Sequence, residues 1–173
     1  MSSGRNILRI ATLAACSVLG TAALDAEAAT AATTFQVQIT LVASCAINAT
    51  NLNFGSGVGL LTTAVSGSTT LSVTCSNTTP YNVALDGGTV STSTVTSRLM
   101  AGTAAGNTST TLGFQLYSNS GLTTVWGNTQ GTNTVSGVGS GAAQTLNVYG
   151  QVPVQTTPKP DTYQTTITAT VSY

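Results

Sequence analysis

The stretch Leu71-Ser-Val-Thr-Cys75 alternates apolar with small polar residues, and Tyr81-Asn-Val-Ala-Leu85 repeats the alternation a few positions later. Successive side chains of a β-strand point to opposite faces, so each stretch presents one apolar and one polar face. The Asp86-Gly-Gly88 sequence that follows contains residues typical of a tight turn. This pattern predicts two strands of an antiparallel sheet, each buried on one face.

The same period of two continues further along the chain. Other apolar faces are formed by Leu112, Phe114 and Leu116, and by Leu146, Val148 and Val152. Clusters of Gly, Asn and Ser separate the runs, and no stretch keeps a helical period for three turns. The sequence therefore predicts an all-β protein folded as an antiparallel β-sandwich.

The composition excludes several classes of function. Charged residues make up 5% of the 173 positions, and histidine is absent. A chain without histidine has no Ser-His-Asp or Cys-His nucleophile and no His-ligated zinc. Four Lys and Arg residues supply no basic patch for nucleic acid, while 41% hydrophobic residues are too many for a disordered chain. We expect a folded protein that is not an enzyme and uses no cofactor, metal ion, nucleic acid or small-molecule substrate.

The N-terminal region has the layout of a secretory signal peptide. Arg5 and Arg9 precede an apolar run over residues 10–24, and Ala26-Glu-Ala28 offers small residues at a cleavage site. This predicts a cleaved signal peptide over residues 1–28, with cleavage after Ala31 as the alternative. The sequence before Cys16 also matches a lipoprotein box, although the apolar run continues beyond that cysteine. The run is too short to span a membrane.

Two cysteines remain after the predicted cleavage site, Cys45 and Cys75. Because disulfides form in exported proteins, we expect these two residues to be paired. Closing a loop of about 30 residues would stabilise the fold by roughly 3–3.5 kcal/mol. The alternative is a pair of unbonded, buried thiols.

The C-terminal segment, residues 163–173, alternates with great regularity. One face of the predicted strand carries Tyr163, Ile167, Ala169, Val171 and Tyr173, and the other carries Gln164, Thr166, Thr168, Thr170 and Ser172. The chain ends on this strand. A strand this regular needs partners along its edges, since unpaired edges promote aggregation.

Residues 33–42 form a second alternating segment, without charge, proline or glycine. Phe35, Val37, Ile39 and Leu41 alternate with polar residues just before Cys45. The segment could be the first strand of its own sandwich. It could also be donated to the sheet of another molecule, with its four apolar side chains entering a groove there. The alternation alone does not decide between these interpretations.

A few other residues are interpreted as parts of the fold and not as parts of a functional site. Trp126 is predicted to be a packed residue at a strand end. Asp86 and Arg98 are predicted to form a surface ion pair worth no more than about 1 kcal/mol. Lys159 and Asp161 lie in a Pro-containing turn before the last strand, and we assign them no site.

Several short motifs follow one another along nearly the whole chain after the signal peptide. They are Cys45-Ala-Ile47, Leu52-Asn-Phe-Gly55, Leu71-Ser-Val-Thr-Cys75, Pro80 to Gly88, Arg98-Leu-Met-Ala-Gly102, Leu112 to Ser118, Trp126-Gly-Asn128, Tyr149-Gly-Gln-Val-Pro153 and Pro160 to Tyr173. In this order and spacing they resemble the spore coat protein U domain family, which includes the subunits of archaic (Csu-type) chaperone–usher pili.

The resemblance implies an incomplete immunoglobulin-like sandwich over residues 44–173 that lacks its last strand. A periplasmic chaperone would fill the resulting groove until, at an outer-membrane usher, the N-terminal extension of the next subunit replaces it. By this resemblance residues 29–43 are the extension, and the donor strand inserts Phe35, Val37, Ile39 and Leu41. The groove is lined by residues 163–173, and the Tyr173 carboxylate anchors the chaperone.

The function implied is that of a structural pilus subunit. It would be exported through the periplasm to the cell surface, polymerise by donor-strand exchange with identical or homologous subunits, and support adhesion and biofilm formation. Two alternatives stay open: a spore or cyst coat protein, and a secreted binding module whose residues 33–42 complete its own sheet.

Overall fold

The computed structural model of the protein describes residues 28–173. The predicted signal peptide, apart from Ala28, and the lipoprotein-box alternative at Cys16 lie outside the described residues. The chain divides into two units, one ending at Ile39 and the other comprising Thr40–Tyr173. Within residues 28–173, no helix has the length and apolar character needed to cross a membrane.

The second unit is built from nine β-strands, and all of their pairings are antiparallel. They are β1 (Cys45–Ala49), β2 (Val65–Cys75), β3 (Pro80–Leu85), β4 (Arg98–Gly102), β5 (Thr111–Tyr117), β6 (Val135–Val138), β7 (Ala143–Val152), β8 (Tyr163–Gln164) and β9 (Ala169–Ser172). Residues 28–173 contain no helix. The prediction of an antiparallel all-β fold is therefore confirmed.

The strands form two sheets. The larger has the order β1-β2-β7-β5-β4-β8, and the smaller has the order β6-β3-β9. The longest ladder joins β2 to β7, from the pair Val65 and Val152 to the pair Thr74 and Ala143. Consequently β1 and β8 are the edges of the larger sheet, while β9 is one edge of the smaller.

The hydrophobic core follows the alternation in the sequence. Val73 and Cys75 of β2 and Val83 and Leu85 of β3 are buried, whereas the intervening residues are partly or fully exposed. Trp126 is 1% exposed, and its indole Nε1 donates a 2.8 Å hydrogen bond to the carbonyl oxygen of Val83. The predicted faces and the packed position of Trp126 are confirmed.

The disulfide prediction is also confirmed. Cys45 and Cys75 are directly opposite each other in the β1–β2 ladder, with Cα atoms 4.1 Å apart, and their sulfur atoms are bonded. Cys75 belongs to the core, and Cys45 packs against it. The bond thus fastens the edge strand β1 to the larger sheet.

Arg98 contradicts the expectation of a surface ion pair with Asp86. Its side chain is 0% exposed. The guanidinium donates five hydrogen bonds, to the carbonyl oxygens of Leu85 (3.1 Å), Asp86 (2.9 Å), Val95 (3.1 Å) and Trp126 (2.7 Å) and to Oε1 of Gln115 (2.5 Å). The five N–H groups of an arginine are thereby all used.

The environment of the Arg98 guanidinium affects its ionisation. Burial lowers the pKa of Arg98 to about 10, and the nearby charge of Asp86 partly opposes this shift. The group therefore stays protonated at neutral pH. Arg98 acts as a buried cross-link among backbone carbonyls, not as one half of a surface ion pair.

The C-terminal segment is divided into two short strands instead of one long strand. β8 pairs with β4 in the larger sheet, and β9 pairs with β3 in the smaller. Between them the chain crosses from one sheet to the other. Asp86 is bonded twice to the residue before β9: its backbone N–H donates a 3.1 Å hydrogen bond to the carbonyl oxygen of Thr168, and its Oδ1 accepts a 2.9 Å hydrogen bond from the N–H of Thr168.

Candidate functional site

A strip of the core is left partly uncovered between two edges of the sandwich. The half-buried apolar residues of the first edge are Cys45, Ile47, Leu52 and Phe54, and those of the second are Tyr163, Ile167, Ala169 and Val171. Both sets pack against the buried core without being covered themselves. We call this region the open cleft, and we call its two sides the first wall (residues 45–59) and the second wall (residues 163–173).

The second wall alternates as the sequence predicted. Tyr163, Ile167, Ala169 and Val171 are half-buried, while the residues between them at 164, 166, 168 and 170 are exposed. Tyr173 differs from this set, because its side chain is 62% exposed beyond the end of β9. The inward side chains of the second wall thus provide an apolar surface along the cleft.

The backbone of β9 has an unused edge. β9 pairs with β3 on one side, and within residues 28–173 no strand pairs with its other side. The opposite edge of the cleft is β1, which likewise pairs on one side only, with β2. Unpaired N–H and C=O groups at such edges are ready to form a ladder with an added strand.

One end of the open cleft is a cavity of about 550 Å³ beside β8. One side of its lining comes from residues 52–59 of the first wall. The other side comes from residues 157–165, which are the turn before β8 and the start of the second wall. The floor between them is apolar and consists of Leu61, Val65, Met100, Leu112 and Val152. The cavity is therefore suited to apolar side chains.

The other end of the cleft is narrower. Cα atoms of β1 and β9 approach within 8 Å, yet the two strands form no ladder. Neighbouring strands in a sheet lie about 4.8 Å apart, so a strand placed between two others separates them by about 9.6 Å. Insertion of a strand at this end would require β1 and β9 to move apart.

A polar cluster lies at the rim of the cavity. Asp161 accepts hydrogen bonds from Asn107 Nδ2 (2.7 Å) and from the backbone N–H of Ala104 (3.0 Å), and the Tyr163 hydroxyl donates to the carbonyl of Lys159 (2.8 Å). The hydrogen bond from Asn107 is the main cause that holds the pKa of Asp161 below its ordinary value of 3.8, followed by the bond from Ala104. These bonds fix the turn before β8.

Residues 33–42, the predicted donor strand, carry four exposed apolar side chains at alternate positions. Residues 28–44 form no strand. Phe35, Val37, Ile39 and Leu41 are between 82% and 87% exposed. Four large apolar side chains at alternate positions are thus exposed to water, which favours their burial elsewhere.

The other cavity and the acidic or metal-ligating side chains are weaker candidates for a functional site than the open cleft. A second cavity of about 370 Å³ beside β7 is lined by uncharged residues, among them Asn119, Asn147 and Tyr149. In the described part of the chain, no group of three or more His, Cys, Asp or Glu side chains could hold a metal ion. The open cleft is therefore the candidate site.

The sequence located some parts of this site and missed others. The inward residues of the second wall were identified from their period of two. Residues 53–59, which line the cavity without forming a strand, were not identified, although the glycines at 55, 57 and 59 mark an irregular segment. Asn107 was also missed, because its partner Asp161 is 54 positions away and no local pattern connects them.

The fold and the cleft together define a class of protein: an antiparallel β-sandwich whose core is left open between two unpaired strand edges. The chain belongs to the Spore Coat Protein U domain family, since the sequence model of that family matches residues 31–170. The resemblance inferred from the motifs is thereby confirmed.

A solved structure is similar to most of the chain. It is the crystal structure of the CsuC–CsuE chaperone–tip adhesion subunit pre-assembly complex from the archaic chaperone–usher Csu pili of Acinetobacter baumannii. The identity is 26% and the TM-score is 0.52; the match covers 78% of this chain and 40% of that chain. No match was found among curated proteins. The family and this structure point to a structural, non-enzymatic protein.

Proposed function

We propose that the protein is a structural subunit of a chaperone–usher pilus and that it polymerises by donor-strand exchange. The observation that carries the proposal is the open cleft, an uncovered apolar strip between two unpaired strand edges. Such a cleft has the chemistry to take one added β-strand, and β1 and β9 move apart to admit it. The similarity to a chaperone–subunit complex of Csu pili supports the same function.

The donor in this proposal is residues 33–42 of a second subunit. Phe35, Val37, Ile39 and Leu41 turn toward the cleft, and the donor backbone pairs with the free edge of β9. Burying each of these side chains is worth about 1.5–3 kcal/mol, less the cost of ordering the segment. Because dissociation breaks the ladder and the apolar contacts together, the polymer is kinetically stable without covalent links between subunits.

The partners and location follow from this assembly. A periplasmic chaperone occupies the cleft before polymerisation and holds the subunit by the Tyr173 carboxylate, which the exposed position of Tyr173 leaves accessible. An outer-membrane usher then exchanges the chaperone for the next subunit. The protein is exported through the periplasm to a surface pilus, where it contributes to adhesion and biofilm formation.

The test compares electrophoresis of the exported protein before and after boiling in denaturant. A ladder that collapses to one band near the mass of the processed chain is the expected result. Ile39→Asp should abolish the ladder, because it places a charge among the inserted side chains. The matched control Thr40→Asp should keep it, since the neighbouring side chain of an inserted strand faces solvent.

Two outcomes would contradict the proposal. A single monomer band without boiling, from protein secreted by its native host, would favour a self-complemented module. A ladder that persists in Ile39→Asp would show that residues 33–42 do not join the subunits.

A further inference from the structure

Two glycines face each other across the longest ladder of the larger sheet. Gly67 of β2 and Gly150 of β7 are register partners, and both have inward positions in their strands. The neighbouring inward positions of β2 and β7 carry side chains, whereas the two glycines carry none. The inner face of the sheet is therefore locally lower at this pair. Neither has a positive φ, so backbone conformation does not account for glycine at these positions.

The segment that forms the cavity side of the first wall lies in this depression. A Cβ atom added to Gly150 would lie 2.5 Å from Cδ2 of Leu52 and 2.9 Å from Cζ of Phe54. A Cβ atom added to Gly67 would lie 3.2 Å from Cδ1 of Leu52 and 3.2 Å from the carbonyl oxygen of Asn53. The two glycines thus determine how closely residues 52–54 approach the sheet.

The part of this wall that follows Phe54 has little support from packing. Gly55, Gly57 and Gly59 have no heavy atom within 4 Å of their ideal Cβ positions, and the first two have φ values of 99° and 79°. Beyond them the chain is attached again where the backbone N–H of Leu61 donates a 2.9 Å hydrogen bond to Oγ1 of Thr157. Between β1 and Leu61, the wall is therefore held mainly by the contact of Leu52 and Phe54 with the glycine pair and by the edge-to-face contact of Phe54 with Phe114.

We propose that Gly67 and Gly150 are positioning residues for strand uptake: they seat Leu52 and Phe54 so that the cavity keeps the width that a donor strand requires. This inference rests on the proposed function of the open cleft. A side chain at Gly150 pushes Leu52 and Phe54 away from the sheet and into the cavity that they line. Because the atoms displaced are the ends of flexible side chains, the sandwich folds while the cleft becomes narrower.

The experiment measures uptake of a synthetic peptide with the sequence of residues 33–42. The full chain is co-exported with its periplasmic chaperone, and the complex is mixed with the peptide and followed by native mass spectrometry. Gly150→Ala should slow uptake about tenfold, the size of a modest overpacking penalty. Gly67→Ala should have a smaller effect, because its contacts are longer. The control Gly121→Ala lies in a turn outside the cleft, where an added Cβ atom would be 3.3 Å from Nδ2 of Asn119, and it should have no effect.

A rescue variant separates positioning from a general loss of stability. Leu52→Val removes the atom closest to the new Cβ, so the double variant Leu52→Val/Gly150→Ala should recover uptake to within about threefold of the wild type. The unfolding midpoint of each variant is measured in parallel from the fluorescence of Trp126, the single tryptophan of the chain. The rate of peptide uptake should fall most in the variant whose new Cβ atom has the shortest contacts, Gly150→Ala, and should not follow the ranking of the unfolding midpoints.

Three results would overturn the inference. One is uptake by Gly150→Ala at the wild-type rate, and another is a double variant as slow as Gly150→Ala alone. The third is uptake that changes in proportion to the unfolding midpoint. If the wild-type complex itself takes up no peptide, the proposed function fails and this inference fails with it.

Discussion

Arg98 and Trp126 are joined inside the sandwich by a 2.7 Å hydrogen bond from Nη2 of the arginine to the carbonyl oxygen of the tryptophan. Among residues 28–173 they are the two largest fully buried side chains. The indole of Trp126 in turn donates to Val83 of β3, and Arg98 begins β4. A charged and an aromatic residue therefore connect the smaller sheet with the larger one.

Removing the Arg98 guanidinium should destabilise the fold strongly. Arg98→Met leaves four buried or partly buried carbonyl groups without their donor, and we expect the free energy of unfolding to fall by about 3 kcal/mol or more. Arg98→Lys should recover little, because an ammonium group cannot make five hydrogen bonds in the geometry of a guanidinium. Urea unfolding followed by Trp126 fluorescence measures both effects.

The matched control for these variants is Lys159→Met, which removes an exposed cation. It should change the free energy of unfolding by less than about 0.5 kcal/mol. An equally small change in Arg98→Met would mean that the buried hydrogen-bond network contributes nothing to stability.

Loss of the Cys45–Cys75 bond should also lower stability. The two cysteines are separated by 30 positions, and the loop-closure model gives about 3–3.5 kcal/mol for a loop of this size. Replacing both with alanine, which adds no buried hydroxyl, should reduce the free energy of unfolding by this amount and lower the yield of exported protein. Unchanged urea unfolding in the double variant would exclude a stabilising role for the disulfide.

The stability contributed by Asp161 should depend on pH. Its pKa is lower in the folded state than its ordinary value of 3.8, so the folded state favours the ionised carboxylate. This stabilisation is complete above the unfolded pKa and is lost as the pH falls through the folded one.

The difference in unfolding free energy between the wild type and Asp161→Asn should therefore be constant near neutral pH and shrink below pH 3.8. In an Asn107→Ala background the pH dependence should be weaker, because Asn107 is the main cause of the shift. A difference that stays constant down to the lowest accessible pH would contradict the assignment.

Enlarging a small residue of the second wall should block strand uptake. Ala169 is half-buried and faces the open cleft, whereas the neighbouring Thr170 is exposed. Ala169→Leu should reduce binding of the residue 33–42 peptide about tenfold or more, and Thr170→Leu should leave it within about twofold. Equal effects of the two substitutions would show that this face of β9 does not receive the donor.

Much of the fold could be predicted because it depends on local alternation. The buried residues of β2 and β3 lie at every second position, and each strand could be identified from its own sequence. The disulfide followed from the two cysteines that remain after the predicted signal peptide. The division of residues 163–173 into β8 and β9 could not be predicted, because it depends on their pairing with β4 and β3, two strands in different sheets and far away in the sequence.

The candidate site was only partly predictable for the same reason. The inward residues of β9 have a local signature, but the pairing of Gly67 with Gly150 is set by the register of two strands far apart in sequence. Arg98 was misassigned because an arginine is rarely buried, and the carbonyl groups that receive its hydrogen bonds come from several segments. These carbonyl groups come close to Arg98 only in the folded chain, so the sequence alone does not show that they meet.

The burial of Arg98 also reduces the number of charged side chains on the protein surface that dissolved salt can screen. Residues 28–173 contain four Lys, Arg, Asp and Glu side chains, and Arg98 is buried. The other three, Asp86, Lys159 and Asp161, are partly or fully exposed to water. Ionic strength acts on proteins chiefly by screening exposed charges. A fibre assembled from such subunits would therefore have few exposed charges whose interactions change between fresh water and sea water.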